Sequence, residues 1–237
     1  MSDSKPPASD ARTGLTDALL RARVIERSAR EPSPTRAQFS LQQALISSLL
    51  VLVPVLVFVA SGGVRVGPRP ERLLVATALG SAILAIGVAI VGIGRGRSML
   101  GRPRALLLAQ VLLTPVLLFG WRALLSARYP KMTLEWAERP GLRCFTLSIL
   151  LACVPLLGLL WLRRGSDPVH PRLTGAALGA AAGAGAWVLV DLWCPVSYIP
   201  HLLLGHVLPL LVLIALGALV GSRVIAVGRG PAALMER

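Results

Sequence analysis

Charge is scarce in this sequence. Asp, Glu, Lys and Arg together make up 15% of its 237 residues, and aromatic residues only 5%. A soluble domain of this length needs far more charged groups to cover its surface, so an ordinary soluble globule is excluded. Cysteine is also sparse. The three thiols, Cys144, Cys153 and Cys194, are too few for a disulfide scaffold. Acids are outnumbered by bases, 11 to 25, but the basic residues stand as short flanks beside apolar segments. No basic helix or aromatic platform accompanies them, so the charge does not describe a nucleic-acid binder. The first forty residues lack the early apolar stretch and cleavage site of a signal peptide, and the first apolar run is expected to act as an uncleaved anchor.

What is present is apolar length. Hydrophobic residues are 54% of the chain and mean hydropathy is +0.70. They gather into six runs at 43–61, 73–94, 105–121, 143–162, 173–193 and 200–222. Each run is close to the ~20 residues needed to cross ~30 Å of hydrocarbon. The expected fold is therefore all-α, a polytopic membrane bundle of six transmembrane helices. Arg122, Arg143 and Asp191 stand at run ends, where their side chains are expected to reach the interface. With the N-terminus inside, inner segments carry 17 Lys and Arg and outer loops carry 8. That excess predicts an N-in, C-in arrangement in a bacterial inner membrane.

Outside the bundle lie a polar N-terminal segment, 1–42, and a short tail, 226–237. Prolines at 6, 7, 32 and 34 mark both ends of the N-terminal segment as linker. Between them Leu15, Leu19, Ala22 and Ile25 fall three or four apart, which gives a short helix over 15–29 an apolar face for a partner. Inside the bundle, Gly175, Gly179 and Gly183 stand four apart with alanines between. This small-residue strip lets another helix approach closely, and Gly217 with Gly221 repeats the device. Such strips also permit a homodimer. Prolines in runs one, three, four and six, against glycine-rich runs two and five, are compatible with an inverted repeat.

Catalytic signatures are missing. There is no Ser/His/Asp set, no His-Glu-x-x-His and no phosphate-cradling glycine loop, so no enzymatic function is expected. The residues with chemistry collect at one membrane face. Cys144 opens the fourth run, Cys194 lies just before the sixth, and His201 and His206 begin the sixth, with Asp191 close by. Two thiols on an oxidising side can join as a disulfide. With imidazoles they can instead hold a soft metal such as zinc or cadmium. Cys153, ~13 Å of helix rise below Cys144, is expected to be an inert buried thiol. His201 and His206 are five apart, roughly 140° around an α-helix, and so are not expected to share a face.

The same residues carry a resemblance. Cys144 heads an apolar span, followed by Arg-Arg-Gly-Ser-Asp-Pro at 163–168 and the Gly/Ala-rich span. Trp193-Cys194-Pro195 and His201-Leu-Leu-Leu-Gly-His206-Val-Leu-Pro209 complete the pattern. This layout, over 142–225, resembles the NrsF-type anti-sigma factors, six-span bacterial inner-membrane proteins. The resemblance implies that Cys144 and Cys194 sense oxidants or heavy metals from outside, and that the N-terminal segment holds an extracytoplasmic-function sigma factor. Gly205-His206 departs from the Trp-Tyr pair that relatives often carry there. Two other readings fit the same apolar composition: a small transporter or permease, and a membrane thiol oxidoreductase. The latter usually presents a close Cys-x-x-Cys pair, which this chain lacks.

Overall fold

The computed structural model describes residues 36–64, 69–93, 102–128, 141–164, 166–167 and 169–226. The segment 15–29 with Leu15, Leu19, Ala22 and Ile25, and the tail beyond residue 226, lie outside the described residues. The chain divides into two units, Met1–Leu45 and Ile46–Arg237. In the first, the described residues are the opening turns of helix α1; the second holds everything discussed below.

The described residues are helical throughout, apart from connecting turns and a single isolated bridge between Asp167 and Ala226. In chain order the helices are α1 (Arg36–Ala60), α2 (Glu71–Ile93), α3 (Arg104–Ala127), α4 (Leu142–Leu162), α5 (Pro171–Trp193) and α6 (Ile199–Val224). Five of them, α2 to α6, are long and apolar enough to cross a membrane. At 21 residues the shortest, α4, spans about 31 Å. The apolar part of α1 is shorter, Ser48–Ala60. Their outward faces carry large aliphatic residues, such as Leu79, Ile83, Ile86 and Ile90 on α2, and lipid is the solvent that accepts such a surface.

Two boundaries differ by more than two residues from those read off the apolar runs. Helix α1 begins at Arg36, so polar residues ahead of 43 are already helical. Helix α3 continues through Arg122 to Ala127, past the expected end at 121. Arg122 is thus more than a turn inside its helix, with only 1% of its surface exposed, and does not reach the interface. A partner within the protein holds it there, as described below.

Helix α5 is the axis of the bundle. Of its apolar window 78% is buried, against 17% for α2, and α2, α3, α4 and α6 all pack on it. Its Gly/Ala composition explains this position, because only small side chains allow four neighbours to come close at once. The tightest seam runs between α5 and α6. A Cβ added at Gly175 would strike the Gly217 carbonyl, one at Gly179 the Leu213 carbonyl, and one at Gly183 the Leu210 side chain. Gly217 and Gly221 meet the backbone of α5 in the same way.

Polar side chains tie the remaining helices. Gln110 of α3 is buried and donates from Nε2 to the carbonyls of Val88 on α2 and Ala177 on α5, at 3.1 and 3.0 Å. Trp121 donates to the Ala76 carbonyl. At the end of the bundle where α4 stops and α5 starts, Asp167 organises the connection. Its carboxylate accepts from the N–H groups of Val169 and His170 and from the Thr174 hydroxyl. Its own N–H donates to the Ile225 carbonyl at 3.3 Å, which fastens this turn to the end of α6.

Candidate functional site

At the opposite end, where α4 starts and α5 stops, four chemically active side chains meet. Cys144 comes from the first turn of α4, Cys194 from the residue that ends α5, and His201 and His206 from the start of α6. Cys144 Sγ lies 3.3 Å from His201 Nε2, and Cys194 Sγ lies 3.1 Å from the same nitrogen. One ligand atom from each of the four residues fits within 4.8 Å of all the others. All four are buried, between 1 and 5% exposed, and both cysteines are free thiols.

The histidines correct an expectation. Five residues apart on an α-helix they would diverge, yet their ring centroids are 5.7 Å apart. The reason is a π-helical turn at Leu203–Val207, in which the Leu208 N–H bonds to the Leu203 carbonyl. An i→i+5 turn stacks residues five apart, where an α-turn does not. Pro209 is compatible with the widening, since its ring would crowd the carbonyl of Gly205 in a regular α-turn and it has no N–H to offer, although Pro54, Pro115 and Pro155 sit in helices without such a turn. His206 is further fixed by the edge of Trp187, at a centroid distance of 5.2 Å.

Two glycines let α4 reach this turn. Gly141 has φ of +73°, and a Cβ there would strike the backbone of Gly205. A Cβ on Gly205 would in turn press on Cys144 Cβ at 3.0 Å. With neither side chain present, Cys144 closes onto the two imidazoles.

Asp191, which the sequence groups with the thiols, turns elsewhere. Its Oδ1 is 3.1 Å from Arg122 Nε, and both side chains are 1% exposed. Arg122 also donates from Nη2 to Ser197 Oγ at 3.0 Å, and Arg69 donates to the Leu192 carbonyl at 3.4 Å. Arg69 sits in the α1–α2 connection, where burial and then the nearby Arg122 lower its pKa, while Asp191 works in the other direction. These contacts all fall on residues 191–197, so the arginines hold the segment that carries Cys194. The only sequence signal for this pair was an acid and a base each near the end of an apolar run. Cys153 also differs from expectation: it is exposed on the outer side of α4.

Of the residues singled out in the sequence, then, the fold unites Cys144, Cys194, His201 and His206. It leaves Cys153 and Asp191 apart from them. Gly175, Gly179 and Gly183 line the α5–α6 seam that runs away from this cluster.

The sequence matches the model of the family described as negative regulator of sigma F over residues 26–226. The chain belongs to the NrsF family. The match takes in every described helix, so it extends the resemblance seen at 142–225 into the first half. No curated protein and no solved structure matches the chain. NrsF membership, by its description, makes this protein a regulator of the anti-sigma kind, with a sigma factor as its class of partner. In this NrsF protein the four clustered side chains supply the donor set for a thiophilic metal, two sulfurs and two imidazoles.

Proposed function

We propose that the chain is a six-span, N-in, C-in anti-sigma factor of the bacterial inner membrane. It holds an extracytoplasmic-function sigma factor at its cytoplasmic side, with Leu15, Leu19, Ala22 and Ile25 as the docking face. It releases that partner when Cys144 and Cys194, at the outer end, respond to an oxidant or a thiophilic metal. The observation that carries this reading is the meeting of two thiols from separate helices on one imidazole nitrogen.

Chemically the trigger is simple. Two thiols and one molecule of a peroxide give a disulfide and two molecules of water, or water and an alcohol when the peroxide is organic. The disulfide fixes α4 and the end of α5 at a new separation without holding the start of α6, and a larger, softer ion such as cadmium resets the spacing of all three. The α5–α6 seam is backbone against backbone, so it resists bending and passes a shift toward the Asp167–Ile225 fastening at the inner end. Releasing most of a bound partner needs a coupling of a few kcal/mol. A disulfide is large enough to supply it.

The buried Arg122–Asp191 pair favours a second reading, a small transporter, because ionisable groups inside a membrane often mark a substrate path. Flux of a substrate into vesicles containing the purified protein would establish that reading.

The test of the first is capture of a sigma factor from cytoplasm by the full-length protein in detergent, with residues 1–42 on a soluble carrier as comparison. Capture by both supports docking on the N-terminal segment. Capture by neither, under reducing and oxidising conditions alike, removes the anti-sigma reading of this chain. A sigma-dependent reporter then tests the trigger. Cys144→Ser and Cys194→Ser should blunt its response to peroxide, while Cys153→Ser leaves it intact.

A further inference from the structure

We infer that Cys144, Cys194, His201 and His206 form a resident tetrahedral zinc centre, which clasps α4, α5 and α6 together in the resting protein. The assignment deepens the proposed sensor reading, although the existence of the centre does not depend on a sigma factor.

Three observations carry it. First, the spacing is nearly that of a loaded site. Zinc with bonds of about 2.3 Å to sulfur and 2.0–2.1 Å to nitrogen sets neighbouring ligand atoms about 3.3–3.8 Å apart. His201 Nε2 already stands 3.3 and 3.1 Å from the two sulfurs, and all four ligand atoms fit within 4.8 Å. Second, His206 is 2% exposed, yet neither of its ring nitrogens has a hydrogen-bond partner. A buried imidazole without a partner is costly, and a metal ion at the centre of the cluster would supply a partner to one of its two nitrogens. Third, the charge closes. Two thiolates and two neutral imidazoles around Zn²⁺ give a centre with no net charge, which suits burial at a bilayer end.

The local backbone is shaped toward the same end. The π-turn at Leu203–Val207 is what places His206 beside His201, and single π-turns inside α-helices are frequent at functional sites. Zinc binding displaces the two thiol protons. Conversely, once a peroxide has joined the sulfurs, neither thiolate remains to hold the metal. Zinc-bound and disulfide forms therefore exclude one another, and a softer ion such as cadmium competes for the same four atoms.

The experiment uses full-length protein in detergent, purified reduced and with any affinity tag cleaved. Metal content after dialysis is measured, and Co²⁺ is then exchanged in as a spectroscopic probe. A single zinc per chain is expected. Cobalt should give the intense visible bands of a four-coordinate ion together with thiolate-to-metal charge transfer. His206→Ala should weaken zinc binding by at least about tenfold, since losing even an outer-shell partner costs that much. Cys153→Ser and His170→Ala should leave binding unchanged. Absence of bound metal in the wild-type protein after zinc is supplied would overturn the proposal, as would the weak bands of six-coordinate cobalt. Both readouts are made on the wild type, so misfolding of a variant does not decide the result. Neither needs a sigma factor, so failure of the anti-sigma reading shows separately.

Discussion

Arg122 of α3 and Asp191 of α5 form an ion pair at 3.1 Å with 1% of either side chain exposed. Removing one partner strands the other charge in a low-dielectric environment, whereas removing both does not. Arg122→Leu and Asp191→Leu should each destabilise the bundle by about 3–5 kcal/mol, and the double variant should recover most of that loss. Thermal unfolding in detergent, read as a double-mutant cycle, checks it. Equal and additive losses would mean that the pair does not act as one unit.

The α5–α6 seam gives a second prediction. At Gly179 a methyl group would meet the backbone of Leu213 and Ile214, but at Gly185, on the same helix, it would meet nothing. Gly179→Ala should therefore cost about 1–3 kcal/mol through overpacking. Gly185→Ala should be neutral or stabilising by roughly 0.5–1 kcal/mol, because alanine restricts the unfolded chain more than glycine does. The same unfolding assay compares them.

At the turn between α4 and α5, the prediction is one of pH. Burial pushes the Asp167 carboxyl up, but hydrogen bonds from Thr174, His170 and Val169 outweigh it, and the group lies below its ordinary value. A depressed carboxylate contributes stability that is fully present above its unfolded pKa of about 3.9 and is lost as pH falls through the lower folded value. Asp167→Asn should flatten that acid-side loss, and Asp167→Ala should cost about 1–3 kcal/mol at neutral pH by leaving the donors unpaired. Unfolding midpoints measured from neutral pH downward test both.

Pro209 yields the fourth. If its ring holds the turn open, Pro209→Ala lets Leu203–Val207 relax toward an α-turn, which rotates His206 away from His201. Cobalt bound to this variant should lose the spectrum of a four-coordinate site with two nitrogens, while helicity by circular dichroism is kept. An unchanged spectrum would show that something other than the proline sets the π-turn.

The sequence alone determined the class of this protein, because that class follows from local quantities. Apolar runs near the length of a bilayer crossing become helices whose backbone groups are satisfied internally, whatever their neighbours are. Glycines spaced four apart fall on one side of a helix by its geometry. The position of Cys144, Cys194, His201 and His206 at one end of the bundle was legible for the same reason, since each stands at the end of a run.

Tertiary structure decided the rest. Whether Arg122 reaches lipid headgroups or Asp191 depends on which helices are neighbours and on where α3 stops, and apolar periodicity records neither. Cys153 is exposed because α4 turns that side away from α5, a rotation that its almost uniformly apolar sequence leaves open. His206 joins His201 because one turn is wound more widely than the helix around it. Counting residues at α-helical spacing separates those two rings; only the packed backbone, with Gly141 and Gly205 in contact and Pro209 beyond them, brings them together.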